Sequence, residues 1–228
     1  MAEIKALAMA QVRAGGPEAL SLAQVVRDMS MSPAALYRYF ESKDALLSEL
    51  VVDAYGELAD FVVGSAPQAA SSLDRLAAVL GSIRAWALAH PNAYRLVFQT
   101  EAGSGRTLEP ERTKAAASRS MAAMITALDA ARAEAGRGPD DTRAVLPPTL
   151  DAAVSEWSRR SGLEAFAPDV LALGLLSWTR LHGVISLELA GHLPATGLDP
   201  AALYDAEVAA IARAATDAAL DRRGREAR

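Results

Sequence analysis

Apolar residues recur every three or four positions along most of the chain, which is the spacing of one face of an α-helix. The first run, from Ile4 to Val12, stops at Gly15-Gly16-Pro17, a typical end of a helix. The second begins after Ser21, which stands three residues before Gln24 as in a capping box, and stops at Ser30. The pattern therefore predicts two short helices at the start of the chain.

A third helix is predicted after a gap of only three residues, over Pro33 to Phe40. Ser32 is a good N-cap for it, and Pro33 fits the first helical position because its missing N–H is not needed there. Leu36 and Phe40 share one face and anchor the helix. The residues that point away are Pro33, Ala34, Tyr37 and Arg38. An aromatic ring and an arginine that point outward indicate a binding surface.

A longer helix follows Ser42 and ends at Gly64-Ser65-Ala66-Pro67. Its roughly twenty residues form a lever of about 30 Å. Its predicted core stripe is Leu47, Leu50, Val51, Ala54, Leu58, Phe61 and Val62. Further helices are predicted at about 72–89, 91–100, 110–135, 149–160, 168–190 and 199–222, with exposed loops at 101–109 and 136–148 and a charged tail at 221–228.

Composition favours an all-α fold. Hydrophobic residues make up 51% of the 228 residues but aromatic residues only 5%, which suits close-packed helices better than sheets. The chain has no cysteine, and His90, His182 and His192 lack the spacing of metal ligands, so we expect neither a metal nor another cofactor. The longest apolar uncharged stretch, Val170 to Thr179, is too short to span a bilayer, and the N-terminus lacks a signal-peptide core. We therefore expect a cytoplasmic protein without membrane contact.

Two capped helices joined by a three-residue turn, with one helix before them, match a helix-turn-helix, whose second helix enters the DNA major groove. The net charge of −5 argues against nonspecific coating of nucleic acid but leaves room for a compact DNA-reading surface. The segments Ser21 to Val26 and Met31 to Leu47 resemble the tetracycline-repressor-like (TetR/AcrR) family of bacterial transcription regulators. The most specific part is Leu36-Tyr37-Arg38-Tyr39-Phe40, followed by Ser42-Lys43 and Leu46-Leu47.

The resemblance implies a set of contacts with double-stranded operator DNA. Family positions that commonly touch phosphates match Ser21, Tyr37, Tyr39 and Lys43, and the helix N-termini at Ser32 and Ser42 present free N–H groups for the same purpose. Family positions at the base edges match Pro33, Ala34, Tyr37 and Arg38. Arg38 is the one long donor able to reach a guanine edge, whereas Pro33 and Ala34 would contact a thymine methyl.

Three features depart from the family pattern. Ser30 replaces the glycine usual in the turn, so we expect its backbone to be strained. No basic arm precedes the first helix, and the first 52 residues hold five basic and six acidic side chains, so DNA affinity must come from the placement of charges. An alternative is that Tyr37, Tyr39 and Phe40 form the core of a three-helix unit that binds protein.

The bulky and soft side chains of the central helices are candidates for the lining of an apolar effector pocket. They are Trp86, Tyr94, Phe98, Met121, Met124, Trp157, Trp178 and His182. Ordinary core packing is the alternative for each of them, and a satisfied buried histidine is the alternative for His182. Trp178 followed by His182-Gly183 also resembles a C-terminal domain type (WHG) of some family members.

The family forms its dimer with its last two helices, and the last two helices of this chain fit that role because their alanines allow close approach. A two-fold dimer would read two half-sites of a palindromic operator about 34–36 Å apart, or a multiple of that spacing. The alternative is that Leu203 and the alanines pack only within one chain.

The resulting hypothesis divides the chain into a helix-turn-helix head at 1–52 and a ligand-binding and dimerisation body at 53–228. It describes a homodimeric repressor that a small apolar molecule releases from its operator through the helix shared by head and body. The alternatives are a family member that activates, or one that responds to a protein partner. A lipid-carrying bundle or an enzyme is a further alternative, although the sequence offers no nucleophile–base pair and no phosphate-binding glycine loop.

Overall fold

The computed structural model of the protein describes residues 1–65, 71–99, 110–137 and 147–216. Within these ranges the chain is helical and has no strand, so the predicted all-α class is confirmed. The predicted loop at 101–109, the tail at 221–228 and most of the loop at 136–148 lie outside the described residues. The described helices are α1 (Ala2–Gly15), a 3-10 helix (Pro17–Ala19), α2 (Leu22–Asp28), α3 (Pro33–Tyr37), α4 (Lys43–Gly64), α5 (Ser72–Ala89), α6 (Pro91–Phe98), α7 (Pro110–Glu134), α8 (Pro148–Ser161), α9 (Pro168–Leu189), α10 (His192–Ala195) and α11 (Pro200–Thr216).

Each helix predicted from the sequence is present, and the differences lie in short elements. The sequence pattern misses the 3-10 helix and α10, because three or four residues are too few to show a helical period. Helix α3 ends at Tyr37 rather than at Phe40. The N–H groups of Tyr39 and Phe40 both donate to the Leu36 carbonyl, which closes the helix in a tight turn.

The chain forms two compact units. The first comprises Met1–Phe61 and Ala85–Arg119, and the second comprises Val62–Arg84 and Ser120–Arg228. Helices α4, α5 and α7 therefore contribute residues to both units, whereas α6 belongs to the first. The functional division into a head at 1–52 and a body at 53–228 stays a prediction.

The N-terminal helices bury the apolar faces that the sequence pattern predicts. Buried positions on α1 to α4 include Ile4, Ala8, Val12, Val25, Leu36, Phe40, Leu47 and Leu50. On α4 the buried stripe then continues in steps of four through Ala54, Leu58 and Val62. The prediction for Phe61 is wrong, because this side chain is 45% exposed. Phe61 directly precedes Val62, so its side chain lies about 100° around the helix from that of Val62 and outside the buried stripe.

Helix α9 is the one described helix that is long and apolar enough to cross a bilayer by length and composition, with a mean hydropathy of 1.4. The uncharged stretch from Val170 to Thr179 is only part of it. Its charged side chains form ion pairs within the second unit: Asp169 with Arg132, Arg180 with Glu207, and Glu188 with Arg84. These partners and its buried apolar side chains are those of a packed core helix.

A polar clamp connects α5, α9 and α11 in the second unit. The Arg84 guanidinium donates two hydrogen bonds to the Glu188 carboxylate, at 2.8 and 2.6 Å, and lies 5.7 Å from the centroid of the Tyr204 ring. The Tyr204 hydroxyl donates to the Leu80 carbonyl at 2.7 Å. The clamp thus fixes the last long helices to α5.

Candidate DNA-binding site

The N-terminus of α2 has only one of the two hydrogen bonds that the predicted capping box requires. Ser21 Oγ accepts a hydrogen bond from the Gln24 N–H at 3.3 Å. The Ser21 N–H donates to Gln11 Oε1 of α1 at 2.8 Å, and not to Gln24 as a capping box requires. The reciprocal half of the predicted capping box is therefore wrong, and the bond to Gln11 ties α2 to α1 instead.

The N-caps of α3 and α4 follow the sequence prediction. Ser32 Oγ accepts from the Ala35 N–H at 3.2 Å, and Pro33 occupies the first turn of α3. Ser42 Oγ accepts from the Ala45 N–H at 3.0 Å at the start of α4. Since each cap uses a side chain three residues from its partner, these helix starts are set locally.

The turn between α2 and α3 is a Schellman motif. The Ser30 N–H donates to the Arg27 carbonyl at 3.0 Å and the Met31 N–H to the Val26 carbonyl at 3.1 Å. Ser30 itself has a φ of 51°, in the left-handed region that favours glycine. The strain expected at this serine is therefore present, in the turn that sets the angle between α2 and α3.

We expect Ser30→Gly to raise the free energy of unfolding by about 0.5–1 kcal/mol, because the cost of the left-handed backbone exceeds the extra unfolded-state entropy of glycine. Chemical denaturation measures this change. Ser30→Ala is the control, since it removes the same hydroxyl without relieving the backbone. Equal stability of the two variants would show that the turn is unstrained.

Helix α3 and the turn that closes it, through Phe40, have the two faces that the sequence predicts. Leu36 and Phe40 are buried, whereas Tyr37 is 53% exposed and Tyr39 51% exposed. Pro33, Ala34 and Arg38 are exposed beside them, as is Ser32 at the helix start, and Ser21 and Lys43 are half-buried. The alternative in which Tyr37 and Tyr39 form a core does not fit these exposures, although Phe40 does belong to the core.

Two of the five basic side chains of the N-terminal helices are held by carboxylates of α4. Lys5 Nζ lies 2.7 Å from Asp53 Oδ1 and 3.5 Å from Glu49 Oε2. Arg13 donates to both oxygens of the Glu57 carboxylate at 2.7 and 2.8 Å. The other three basic side chains of this segment are Arg27, Arg38 and Lys43, and none of them forms an ion pair with a described residue.

Four of the five acidic residues of α4 form a continuous stripe, here called the acidic stripe, made of Glu49, Asp53, Glu57 and Asp60. Their spacing of three or four residues places them on one helix face. Asp60 completes the series of ion pairs with Arg119 of α7 at 2.6 Å. The stripe thus connects α4 to α1 and to the start of α7 within the first unit.

Arg13 also connects α1 to α6. Its backbone carbonyl accepts a hydrogen bond from Asn92 Nδ2 at 2.8 Å, while its side chain is bound to Glu57 of α4. One residue at the end of α1 is therefore linked both to α4 and to the first turn of α6.

The predicted pocket residues fall into the two units. Trp86, Tyr94 and Phe98 belong to the first, where Phe98 lies 4.8 Å from Tyr94 and 5.6 Å from Tyr55 between ring centroids. Burial raises the pKa of the Tyr55 hydroxyl to about 12, so this hydroxyl stays protonated near neutral pH. The sequence analysis did not single out Tyr55, because nothing in its spacing distinguishes it from other core residues.

The other predicted pocket residues lie in the second unit: Met121, Met124, Trp157, Trp178 and His182. The Trp178 and His182 rings are 5.0 Å apart between centroids, which confirms that they share a face of α9. Met124 and His182 are buried, and the other three are half-buried. Their role in an effector pocket stays a prediction.

We expect stability to fall as pH falls through the range in which His182 titrates. Burial lowers the pKa of His182 from 6.5 to about 4, so the unfolded chain binds a proton at higher pH than the folded chain does. Its contribution is therefore complete above about pH 6.5 and decreases toward about pH 4, by about 3 kcal/mol in total. Urea unfolding of the wild type and of His182→Gln at several pH values measures it. The exposed His192→Gln is the control, and an identical pH dependence of all three proteins would contradict the assignment.

Helices α9 and α11 each present an exposed face that nothing in the described chain covers. On α9, Leu176 is 44% and Leu187 45% exposed, in line with the exposed Gly183. On α11 the exposed positions include Ala202, Ala206 and Ala209. Small and apolar side chains at helical spacing on two neighbouring helices are typical of a helix-packing surface.

The capped pair α2 and α3, with an exposed face on the second helix, defines a helix-turn-helix protein. Two family models match the chain: bacterial regulatory proteins of the tetR family over residues 4–50, and the tetracyclin repressor-like C-terminal domain over residues 76–211. The HTH-type transcriptional regulators Mb1846 of Mycobacterium bovis and Rv1816 of Mycobacterium tuberculosis are each 32% identical to it over 212 residues, 90% of this chain and 88% of the relative. The chain therefore belongs to the TetR family of bacterial transcriptional regulators, and it is a DNA-binding regulator and not an enzyme.

Solved structures agree with this assignment. The regulatory protein SCO4313 is 34% identical, with a TM-score of 0.71 over 92% of this chain and 93% of that one. A protein of unknown function from Rhodococcus sp. RHA1 shares the fold, with a TM-score of 0.69 at 20% identity over 95% of both chains. So does a tetR-family regulatory protein from Rhodococcus RHA1, with a TM-score of 0.57 at 18% identity over 96% of this chain and 97% of that one.

Proposed function

We propose that the protein is a homodimeric cytoplasmic repressor whose helix α3 reads a palindromic operator and which a small apolar molecule releases. The observation that carries the proposal is that α3 and the turn that closes it divide into a buried anchor, Leu36 and Phe40, and an exposed face with Tyr37 and Arg38. In a member of this family, that face is the one that meets DNA.

The exposed residues of α3 divide between base reading and phosphate binding. Arg38 donates two hydrogen bonds to a guanine edge, and Pro33 and Ala34 pack against thymine methyl groups. Tyr37 lies beside them at the base edge. The contacts that set the register on the phosphates come from Ser21, Ser32, Tyr37, Tyr39 and Lys43.

The dimer forms through the exposed faces of α9 and α11. Leu176 and Leu187 supply apolar area. Gly183 has no side chain, and a Cβ there would meet nothing within 4 Å in the isolated chain, so a helix of a second copy can approach this position closely. A two-fold axis through this surface presents two α3 helices to half-sites about 34–36 Å apart, or a multiple of that spacing.

Effector binding acts through α4, which contributes residues to both units. The first unit offers a physical basis for this coupling, because Arg13 is bonded both to Glu57 of α4 and to Asn92 of α6. A ligand that prefers one packing of the body shifts these helices, and a displacement of about 1–2 Å is enough to misplace the two α3 helices.

Nuclease protection of the DNA upstream of the protein's own gene tests the proposal, together with a reporter driven by that DNA. We expect protection of two symmetric half-sites and lower reporter output when the protein is present. Tyr37→Ala/Arg38→Ala abolishes both effects. Higher reporter output would identify an activator, and weak binding that is equal for all sequences and for the double variant would refute the DNA-reading role of α3.

A further inference from the structure

A serine hydroxyl is buried in the middle of α9 without a hydrogen-bond partner. Ser177 is 1% exposed, and its Oγ has no partner among the described residues. Because its lost hydration is not replaced, a hydroxyl at this position is less favourable than the methyl group of an alanine. Packing alone therefore gives no reason for a serine here.

Other hydroxyl side chains of these helices are satisfied by their own helix. Ser82 Oγ donates to the Val79 carbonyl at 2.7 Å, although Ser82 is also buried. Thr179, only two residues after Ser177, donates to the Leu176 carbonyl at 2.9 Å. Ser177 makes no such bond, so its hydroxyl is available to a partner other than its own helix.

Two contacts fix the register of α9 against α7 in the second unit. Asp169 forms a buried ion pair with Arg132. Five residues further along α9, a Cβ at Gly174 would lie 2.9 Å from Ile125 Cγ1, which is seven residues earlier on α7. The two helices therefore run antiparallel at this contact.

Ser177 follows Gly174 by three residues and so lies on the same face of α9. Continuing the antiparallel register places it level with Met121 and Met124 of α7. Methionine side chains change conformation readily and line sites that adapt to their ligand. The register thus places Ser177 at the level of two side chains that adapt their shape readily.

The surroundings favour a neutral ligand. The ionic side chains of α9 are Asp169, Arg180 and Glu188, and each already has a partner of opposite charge. His182, which stacks on Trp178, is uncharged at neutral pH because burial lowers its pKa to about 4. A charged ligand would lose its hydration here without finding an unpaired counter-charge on this helix.

We propose that Ser177 is the polar anchor of the effector site, and that the effector is a neutral, mainly apolar molecule with one hydroxyl or carbonyl oxygen. That oxygen forms a hydrogen bond with Ser177 Oγ when Met121 and Met124 move aside. The inference rests on the proposed function in one respect, since it assumes that the effector binds in the body. It adds the chemical class of the effector and the residue that recognises its polar group.

The test uses three eight-carbon compounds, 1-octanol, 2-octanone and n-octane, with the wild type, Ser177→Ala and Ser82→Ala. Without added compound, Ser177→Ala raises the Tm by about 2–4 °C, because it removes an unsatisfied hydroxyl. Ser82→Ala removes an equally buried but satisfied hydroxyl and does not raise it. Thermal unfolding with each compound then shows that Ser177→Ala binds the alcohol and the ketone about tenfold more weakly than the wild type does, because their oxygen loses its hydrogen-bond partner. The affinity for the alkane is the same in both proteins.

No stabilisation of the wild type by any compound, or the same preference in wild type and Ser177→Ala, overturns the proposal. Operator affinity measured in parallel separates it from the proposed function. If the alcohol binds through Ser177 but leaves operator binding unchanged, the binding site is supported and effector-controlled release is refuted. If the alkane and the alcohol release the operator equally from the wild type and from Ser177→Ala, effector-controlled release is supported and the role of Ser177 is refuted.

Discussion

Arg38→Ala lowers the affinity for the operator about 100- to 1,000-fold while the affinity for random duplex DNA changes by only about threefold. A bidentate arginine contact with guanine contributes about 1–3 kcal/mol, and the proposed dimer would make this contact twice. Arg38 is exposed next to Tyr37 on α3 and forms no ion pair with any described residue, so its side chain is free to reach a base. Fluorescence anisotropy with both duplexes, at one salt concentration, measures the two affinities.

Two variants separate base reading from charge. Arg159→Ala removes the same charge from an exposed position of α8 and leaves operator affinity almost unchanged. Arg38→Lys keeps the charge but not the planar fork, so we expect it to lose most of the operator preference. If Arg38→Ala weakens both duplexes equally, Arg38 binds phosphate and the specificity lies elsewhere on α3.

We expect Leu176→Glu/Leu187→Glu to convert the proposed dimer into monomers and to reduce operator binding to the level of random DNA, a loss of about 1,000-fold or more. The two leucines lie on the exposed face of α9, and two carboxylates on that face would be buried without partners when two copies meet. A monomer binds one half-site only and loses the gain from simultaneous binding to both. Sedimentation velocity gives the mass, and anisotropy gives the affinity.

The matched control places the same two substitutions elsewhere. Leu88 of α5 and Leu150 of α8 are 39% and 37% exposed, so Leu88→Glu/Leu150→Glu introduces equal charge at similarly exposed leucines. We expect this variant to stay dimeric and to bind the operator. Persistence of the dimer mass in Leu176→Glu/Leu187→Glu would locate the interface on another surface.

Features that depend on neighbouring residues could be predicted from the sequence. The strained turn at Ser30 is expected from the family resemblance, because the family usually has a glycine at that position. The caps at Ser32 and Ser42 follow from side chains within three residues of their partners. The outward face of α3 follows in the same way from the spacing of Leu36 and Phe40. For this reason the residues proposed to bind DNA were all located at the surface or half-buried.

Features that depend on which faces meet could not be predicted. Gln11 is hydrogen-bonded to Ser21 ten positions away, and Arg13 to Glu57 forty-four positions away. The sequence spacing of these residues predicts neither hydrogen bond. The pocket prediction is limited in the same way. Composition identifies bulky residues, but it does not show that Trp86 and Trp178 belong to different compact units.

The acidic stripe of α4 has a consequence for the search along the chromosome. Nonspecific DNA attracts a protein through its unpaired cations, and the stripe neutralises Lys5 and Arg13 within the fold. A molecule that meets a wrong site is therefore held weakly and dissociates soon. Because a genome offers a large excess of wrong sites, weak trapping leaves more molecules in solution. We expect that a small number of copies per cell is enough to keep the operator occupied.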